Sequence, residues 1–355
     1  MKTNTVYILG AGASHFACFP LASDLRDALE KAAGSREILC STIKDKARAD
    51  ETARLCLEVV DRIGRTLSDG PHDIELILTL VDLANLPGAK LQTKLGLQDF
   101  DLKQASRILA QLIARTFQNL SLSAAGHIYE QPPCEKCENM QEVMNAWAKL
   151  IRPGDTIITF NWDMLHEMIL WNARKWDYRG GYGFNTNQPF DDWSLVKVLK
   201  LHGSCNWSLS RPQDTIPSLD DNDLYFRQCS WDMPNDEVPV PLGSTSDFGD
   251  SLILPSYMKA PFAKSALVPV WMQAADSVKN AAKVMVLGYS LPVADAPTRT
   301  MLSIALSENH ALQTIQVVLS NDGSAYGRWQ DFCSSIGKTV QPIYKKFEEF
   351  VLAGK

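Results

Sequence analysis

Asn161 and His202 are the side chains of this sequence best suited to chemistry at neutral pH. An imidazole titrates near neutrality and can take a proton from a hydroxyl or a water, while a carboxamide orients such a group without changing charge. Each follows a short apolar run: TIIT leads into FNWD, ending at Asp163, and VKVLK leads into LHGS, ending at Ser204. Three more runs break off in the same way, VYILG-AGAS over Val6–Ser14, KVMVL-GYS over Lys283–Ser290 and IQVVL-SND over Ile315–Asp322. Short runs of Val, Ile and Leu without alternation read as strands buried on both faces of a parallel sheet. Ligands of such sheets bind outside the carboxyl ends of the strands, so five polar or glycine-rich strand ends point to one site. A lone histidine is more often a satisfied core group; convergence with four other strand ends argues for function in His202.

The strand ends offer different chemistry. Gly10-Ala11-Gly12-Ala13-Ser14 lies between a strand and a helix, where exposed N–H groups and small residues can take a pyrophosphate. The usual dinucleotide fingerprint has a third glycine where this chain has His15, and no second strand with an acidic ribose ligand follows, so an ordinary dehydrogenase half is disfavoured. Asp163 can hold a ligand or bond the free N–H groups of the helix that follows, and capping is the commoner use of such a residue. Gly203 permits close approach of a substrate to His202. Gly288 and Ser290 could touch phosphate or ribose, and Asn321 and Asp322 a second ribose. Gly, Ser, Asn and Asp also form ordinary turns, the commoner role for Asp322.

These residues need a frame. Ser23 could cap a helix running to about Ala33. The segment 35–151 reads as a helical insertion: Leu55, Val59, Ile63 and Leu67 make one apolar stripe, Ile74, Ile77, Leu78 and Val81 another, and a helix spans Met140–Ile151. The stretch 205–250, rich in Asp, Pro and Ser, reads as a loop-rich insertion. A sixth strand, Thr339–Ile343, and a short helix close the chain. The expected fold is α/β: one domain over 1–355, with a Rossmann-like parallel sheet of about six strands, helices on both faces and a large helical insertion.

A net charge of −6 gives no general attraction to nucleic acid or anionic membrane. No apolar stretch nears the roughly 20 residues of a membrane span. The first strand begins a few residues after Met1, leaving no room for a cleavable leader, and the eight cysteines are scattered, as in a reducing cytoplasm. Cys134 and Cys137 form a single CxxC with His127 upstream; a structural zinc needs four ligands, so no metal is expected. His15, His72, His166 and His310 fall on helices or helix ends and read as surface or core residues.

The ordered set GAGAS, FNWD, LHGS, GYSL and SND resembles the sirtuin superfamily, and more specifically the bacterial sirtuin-like domains that hydrolyse NAD in antiphage defence. HFACFPLASDL (His15–Leu25), PHDIELIL (Pro71–Leu78) and LILPSYMK (Leu252–Lys259) resemble further elements of that group, and the likeness spans nearly the whole chain. Sirtuin deacylases carry Pro-Asp-Phe-Arg after the glycine loop, where this chain has Pro20-Leu21-Ala22-Ser23, and two CxxC pairs after the catalytic histidine, where it has none. The resemblance therefore implies an NAD+ glycohydrolase more than a deacylase. NAD+ would be the substrate, with Asn161 and His202 catalytic and Gly10, Ala11, Gly12, Ala13, Ser14, Asp163, Gly288, Ser290 and Asn321 binding it. It also implies a homo-oligomer, with an ATPase or sensor protein as partner. The other readings are a protein deacylase or ADP-ribosyl transferase on the same pocket, which needs a second substrate, and a non-catalytic NAD or ADP-ribose sensor.

Overall fold

The computed structural model describes residues 4–34, 139–183, 196–210, 225–229, 252–254, 256, 267–320 and 323–354, with scattered positions between 78 and 124. Six of its strands form one sheet: β1 (Thr5–Leu9), β2 (Thr156–Thr159), β3 (Lys197–Lys200), β6 (Lys283–Leu287), β7 (Thr314–Leu319) and β8 (Thr339–Tyr344). Their order is β3-β2-β1-β6-β7-β8 and every pairing is parallel. The fold is the Rossmann-like α/β arrangement expected from the strand runs. Burial on both faces explains the composition of the inner strands, since Val6, Ile8, Leu9, Ile157, Ile158, Val284, Val286 and Leu287 are all sealed from solvent.

The helices are α1 (Leu25–Gly34), α2 (Met140–Leu150), α3 (Leu165–Asn172), α4 (Tyr178–Gly181), α5 (Val268–Lys279), α6 (Ala296–Glu308), α7 (Gly323–Ser335) and α8 (Phe347–Ala353). Helix α2 packs on α3 and α8, while α5 packs on α6. Right-handed crossovers on this strand order place those two groups on opposite faces. Helix α2 buries Met140, Val143, Met144 and Trp147, the spacing of one helical face. Asp155, just before β2, ties that strand's approach to the start of β1, accepting from the Thr5 N–H and from the Arg152 N–H of its own loop at 2.8 Å each.

Two expectations change. Ser23 does not cap α1: it sits in a 3-10 turn, Ala22–Asp24, and donates to Asp24 Oδ1 at 3.0 Å. The stretch expected to be loop-rich holds an antiparallel pair, β4 (Trp207–Ser210) with β5 (Tyr225–Cys229). Cys205, Asn206 and Trp207 at its start are fully buried, Asn206 accepting from Ser204 Oγ at 2.6 Å and donating to the Tyr182 hydroxyl at 3.5 Å. Within 35–151, the described positions from 78 to 124 are helical, and Leu78, Leu109, Leu112, Ile113 and Phe117 join the protein's own core. Those residues need no partner copy to cover them. Stripe residues 55–67, Cys134 and Cys137 lie outside the described residues. No helix among the described residues is long and apolar enough to cross a membrane.

Candidate active site

The chain runs outward from β1 to β2 and β3, then returns to the other side of β1 for β6, β7 and β8. The reversal opens a crevice above the carboxyl ends of β1 and β6, the usual ligand position in such sheets. A cavity of about 650 Å³ occupies it, within the range of small-molecule sites. Gly10, Ala11, Gly12, Ser14, Asn161, Asp163, His202, Gly288 and Ser290 all line it. Of the expected site residues, Ala13 is excluded and Asn321 lies outside the described residues. Ala13 is fully buried and its N–H donates to the Gly10 carbonyl at 2.9 Å, so it packs the turn instead of facing a ligand.

The glycine loop differs from the expected phosphate cradle. Residues Ala11–Ala13 and His15–Ala17 are 3-10 turns, and α1 begins only at Leu25. Four of the five loop amides are used internally: Gly10 donates to Leu287 O, Gly12 to Gly288 O, Ala13 to Gly10 O and Ser14 to Ala11 O. Among the described residues, the Ala11 N–H is the loop amide left without an acceptor. The glycines serve close packing. A Cβ on Gly10 would stand 2.6 Å from the Gly288 oxygen, one on Gly12 2.9 Å from Gly288 Cα, and one on Gly288 2.5 Å from the Ala13 nitrogen. Gly288 also has φ +66°, which disfavours any side chain.

Asn161 locks this loop to β2. Its Nδ2 donates to Gly10 O at 2.9 Å and to Ser14 Oγ at 3.0 Å, which commits both amide protons and leaves Oδ1, an acceptor, for a ligand. Asp163 bonds a free N–H group of the helix start: one residue ahead of the N-cap Met164, its Oδ1 accepts the Leu165 N–H at 3.0 Å. It also borders the cavity and belongs to a buried ionic cluster. Lys200, fully buried in β3, lies 2.8 Å from Glu167 Oε1 and donates to the Asp163 carbonyl. Burial pushes the Asp163 and Glu167 carboxyls up, and the Lys200 charge pulls both back down. Burial and the same lysine hold His166 at about 3, so its imidazole, 3.5 Å from Ser14 Oγ, is neutral at physiological pH.

His202 follows β3 and precedes Gly203, whose φ of +80° turns the chain sharply. Its carbonyl accepts from the Trp162 indole at 3.2 Å and the Ile253 N–H at 2.9 Å. Its ring lies 5.1 Å from Phe160, which stacks on Tyr289 at 4.2 Å. Phe19, Phe117 and Trp162 extend the aromatic wall, with Phe117 edge-on to Trp162. Around the cavity stand Ser290, Ser320, Lys345 and Lys346 at the ends of β6, β7 and β8.

Of the lining residues not foreseen from the sequence, Asp295 is the one placed against His202. Asp295, buried at the start of α6, places Oδ1 3.4 Å from His202 Nε2. Its only signal was position, a carboxylate shortly after a glycine-rich strand end and just before Pro297 in the first turn of a helix. Among the described residues no group of three or more His, Cys, Asp or Glu is arranged to hold a metal ion. No protein-family model and no curated protein matches this sequence.

Proposed function

We propose that this protein is an NAD+ glycohydrolase, cleaving the nicotinamide–ribose bond with water to give nicotinamide and ADP-ribose. One observation carries the reading: the crevice at the strand-order reversal brings Asn161 and His202 into one cavity with the glycine loop and an aromatic wall. The wall at Phe19, Phe117 and Trp162 suits a flat heteroaromatic ring. Ser290, Ser320 and the lysines at the ends of β6 to β8 suit ribose and phosphate.

In this reading the C–N bond breaks with its electron pair passing to the pyridinium ring, so nicotinamide leaves neutral and needs no general acid. The ribose passes through an oxocarbenium-like state. A water attacks the anomeric carbon and gives its proton to the His202 imidazole, which later releases it to solvent. Asn161, with its N–H groups engaged, acts as an acceptor through Oδ1, orienting the water or a ribose hydroxyl. Pyrophosphate binding falls on the Ala11 N–H and on side chains around the cavity more than on a full amide cradle. An antiphage role, assembly into homo-oligomers and an ATPase or sensor partner rest on the family resemblance alone.

The test is incubation of the purified protein with NAD+, followed by chromatography for nicotinamide and ADP-ribose in equal amounts. Binding without turnover under every activating condition tried would sink the hydrolase and leave a sensor. Turnover only with an added peptide or protein acceptor would make the enzyme a transferase or deacylase.

A further inference from the structure

We propose that Asp295 is the positioning residue for His202, fixing the proton on Nε2 so that the lone pair used as base sits on Nδ1. The inference rests on the hydrolase reading for its kinetic consequences, but not for its structural content.

Asp295 is built to stay put. Tyr289 donates its hydroxyl to Oδ2 at 2.6 Å, and Thr298 donates Oγ1–H to Oδ1 at 2.9 Å. The same Oδ1 faces His202 Nε2 at 3.4 Å, and the carboxylate is almost wholly removed from solvent. Phe160 lies against the imidazole and Tyr289, closing the pair from one side. Nε2 and Oδ1 stand at ion-pair distance without hydrogen-bond alignment, and because a carboxylate accepts and cannot donate, its field favours the proton on the nitrogen facing it. When that imidazole takes a second proton, the buried anion stabilises the imidazolium.

Among the described residues, Tyr289 and Arg299 bear on the charge of this pair. Tyr289, from the β6 loop, is held well above its usual range by burial and then by Asp295 itself, so it stays a neutral donor. Arg299, on α6, is the cation whose field reaches Tyr289, and its guanidinium also donates to Leu291 O at 3.5 Å. The position of Asp295 before α6 suits a plain structural role as well, so its test must read the histidine itself.

The direct measurement is ¹⁵N and ¹³C NMR of the His202 ring, titrated in the intact parent protein and in Asp295→Asn. The neutral parent ring is expected as the Nε2–H tautomer, and its pKa is expected to fall by about one unit or more in the variant. With NAD+ turnover as readout, Asp295→Asn should lower kcat about 10- to 100-fold with little change in KM, as for other carboxylates that orient a histidine. The acid limb of its kcat/KM profile should shift to lower pH by the same step as the NMR titration. A parent ring protonated on Nδ1, or an identical pKa with and without the carboxylate, would overturn the proposal. If Asp295→Asn does not fold, the parent tautomer alone decides. If the parent never cleaves NAD+, the hydrolase reading falls while the NMR result still settles the pairing.

Discussion

Asn161 and Gly10 stand 151 positions apart in the chain, yet the Asn161 carboxamide holds the Gly10 carbonyl at 2.9 Å. The residue expected to act on substrate is thus also the clamp between the ends of β1 and β2. Asn161→Ala should lose cleavage and also remove two buried hydrogen bonds that tie the glycine loop to β2, costing about 1–3 kcal/mol and weakening NAD+ binding. His202→Ala should lose about 10²–10⁴ in rate while keeping its melting temperature and most of its affinity. Calorimetry with NAD+ and a thermal melt on both variants would separate the two. Equal behaviour in stability and binding would mean that the clamp is unimportant.

Gly288→Ala should be poorly tolerated whether or not a ligand is present. The new Cβ would meet the Ala13 nitrogen at 2.5 Å, at a backbone φ of +66°. We expect a loss above about 2 kcal/mol, from the left-handed backbone cost plus overpacking. Gly12→Ala, at 2.9 Å from Gly288 Cα, should follow in the same direction. Denaturant unfolding of the apo protein checks this. A variant with parent stability that merely failed to bind NAD+ would show that the glycines keep space open for phosphate.

Lys200→Met should destabilise by about 3–5 kcal/mol, because it strands the Glu167 carboxylate in the core. Adding Glu167→Gln should recover a large part of that loss. If the double variant were as unstable as the single one, the pair would not be the cause. Urea midpoints of the three proteins give the answer.

His166 should make the fold acid-sensitive. Its folded pKa is about 3 against 6.5 for the ordinary group, so the unfolded chain binds the extra proton throughout that window. Stability contributed by the neutral ring is therefore whole above pH 6.5 and lost as the pH falls towards 3. Asp163 and Glu167, whose carboxyls are raised, pull the other way, since they favour the folded state as it takes up protons. Between pH 7 and 5, His166→Gln should lose about 2 kcal/mol less stability than the parent protein. Equal losses would remove His166 as the cause.

Much of the sheet was legible because its signal is local. Runs such as VYIL and KVMVL are buried on both faces, and that burial is written in their composition. Strand ends could be paired with one cavity because parallel strands place them at one edge. The pairings within the cavity were not legible. Nothing near Asp295 in sequence points to His202, 93 positions earlier by residue number, since a loop's path is set by packing such as Phe160 on Tyr289. Lys200 ends a strand, KVLK, that also begins with an exposed lysine, and nothing in the sequence marks it as the buried one until Glu167 is seen beside it. The glycine loop misled for a related reason: its composition fits an open cradle and a tight weld equally well, and only the approach of Gly288 decides between them.

That weld makes the β1 and β6 loops a single mechanical unit. Since Gly12 donates to Gly288 O, and Gly10 to Leu287 O, neither loop can breathe alone. Amide hydrogen exchange at Gly10 and Gly12 should then report one shared opening event, slow in the free protein. A ligand that grips either loop would protect both. Over evolutionary time, a side chain admitted at one of these glycines would have to be answered by movement of the other loop.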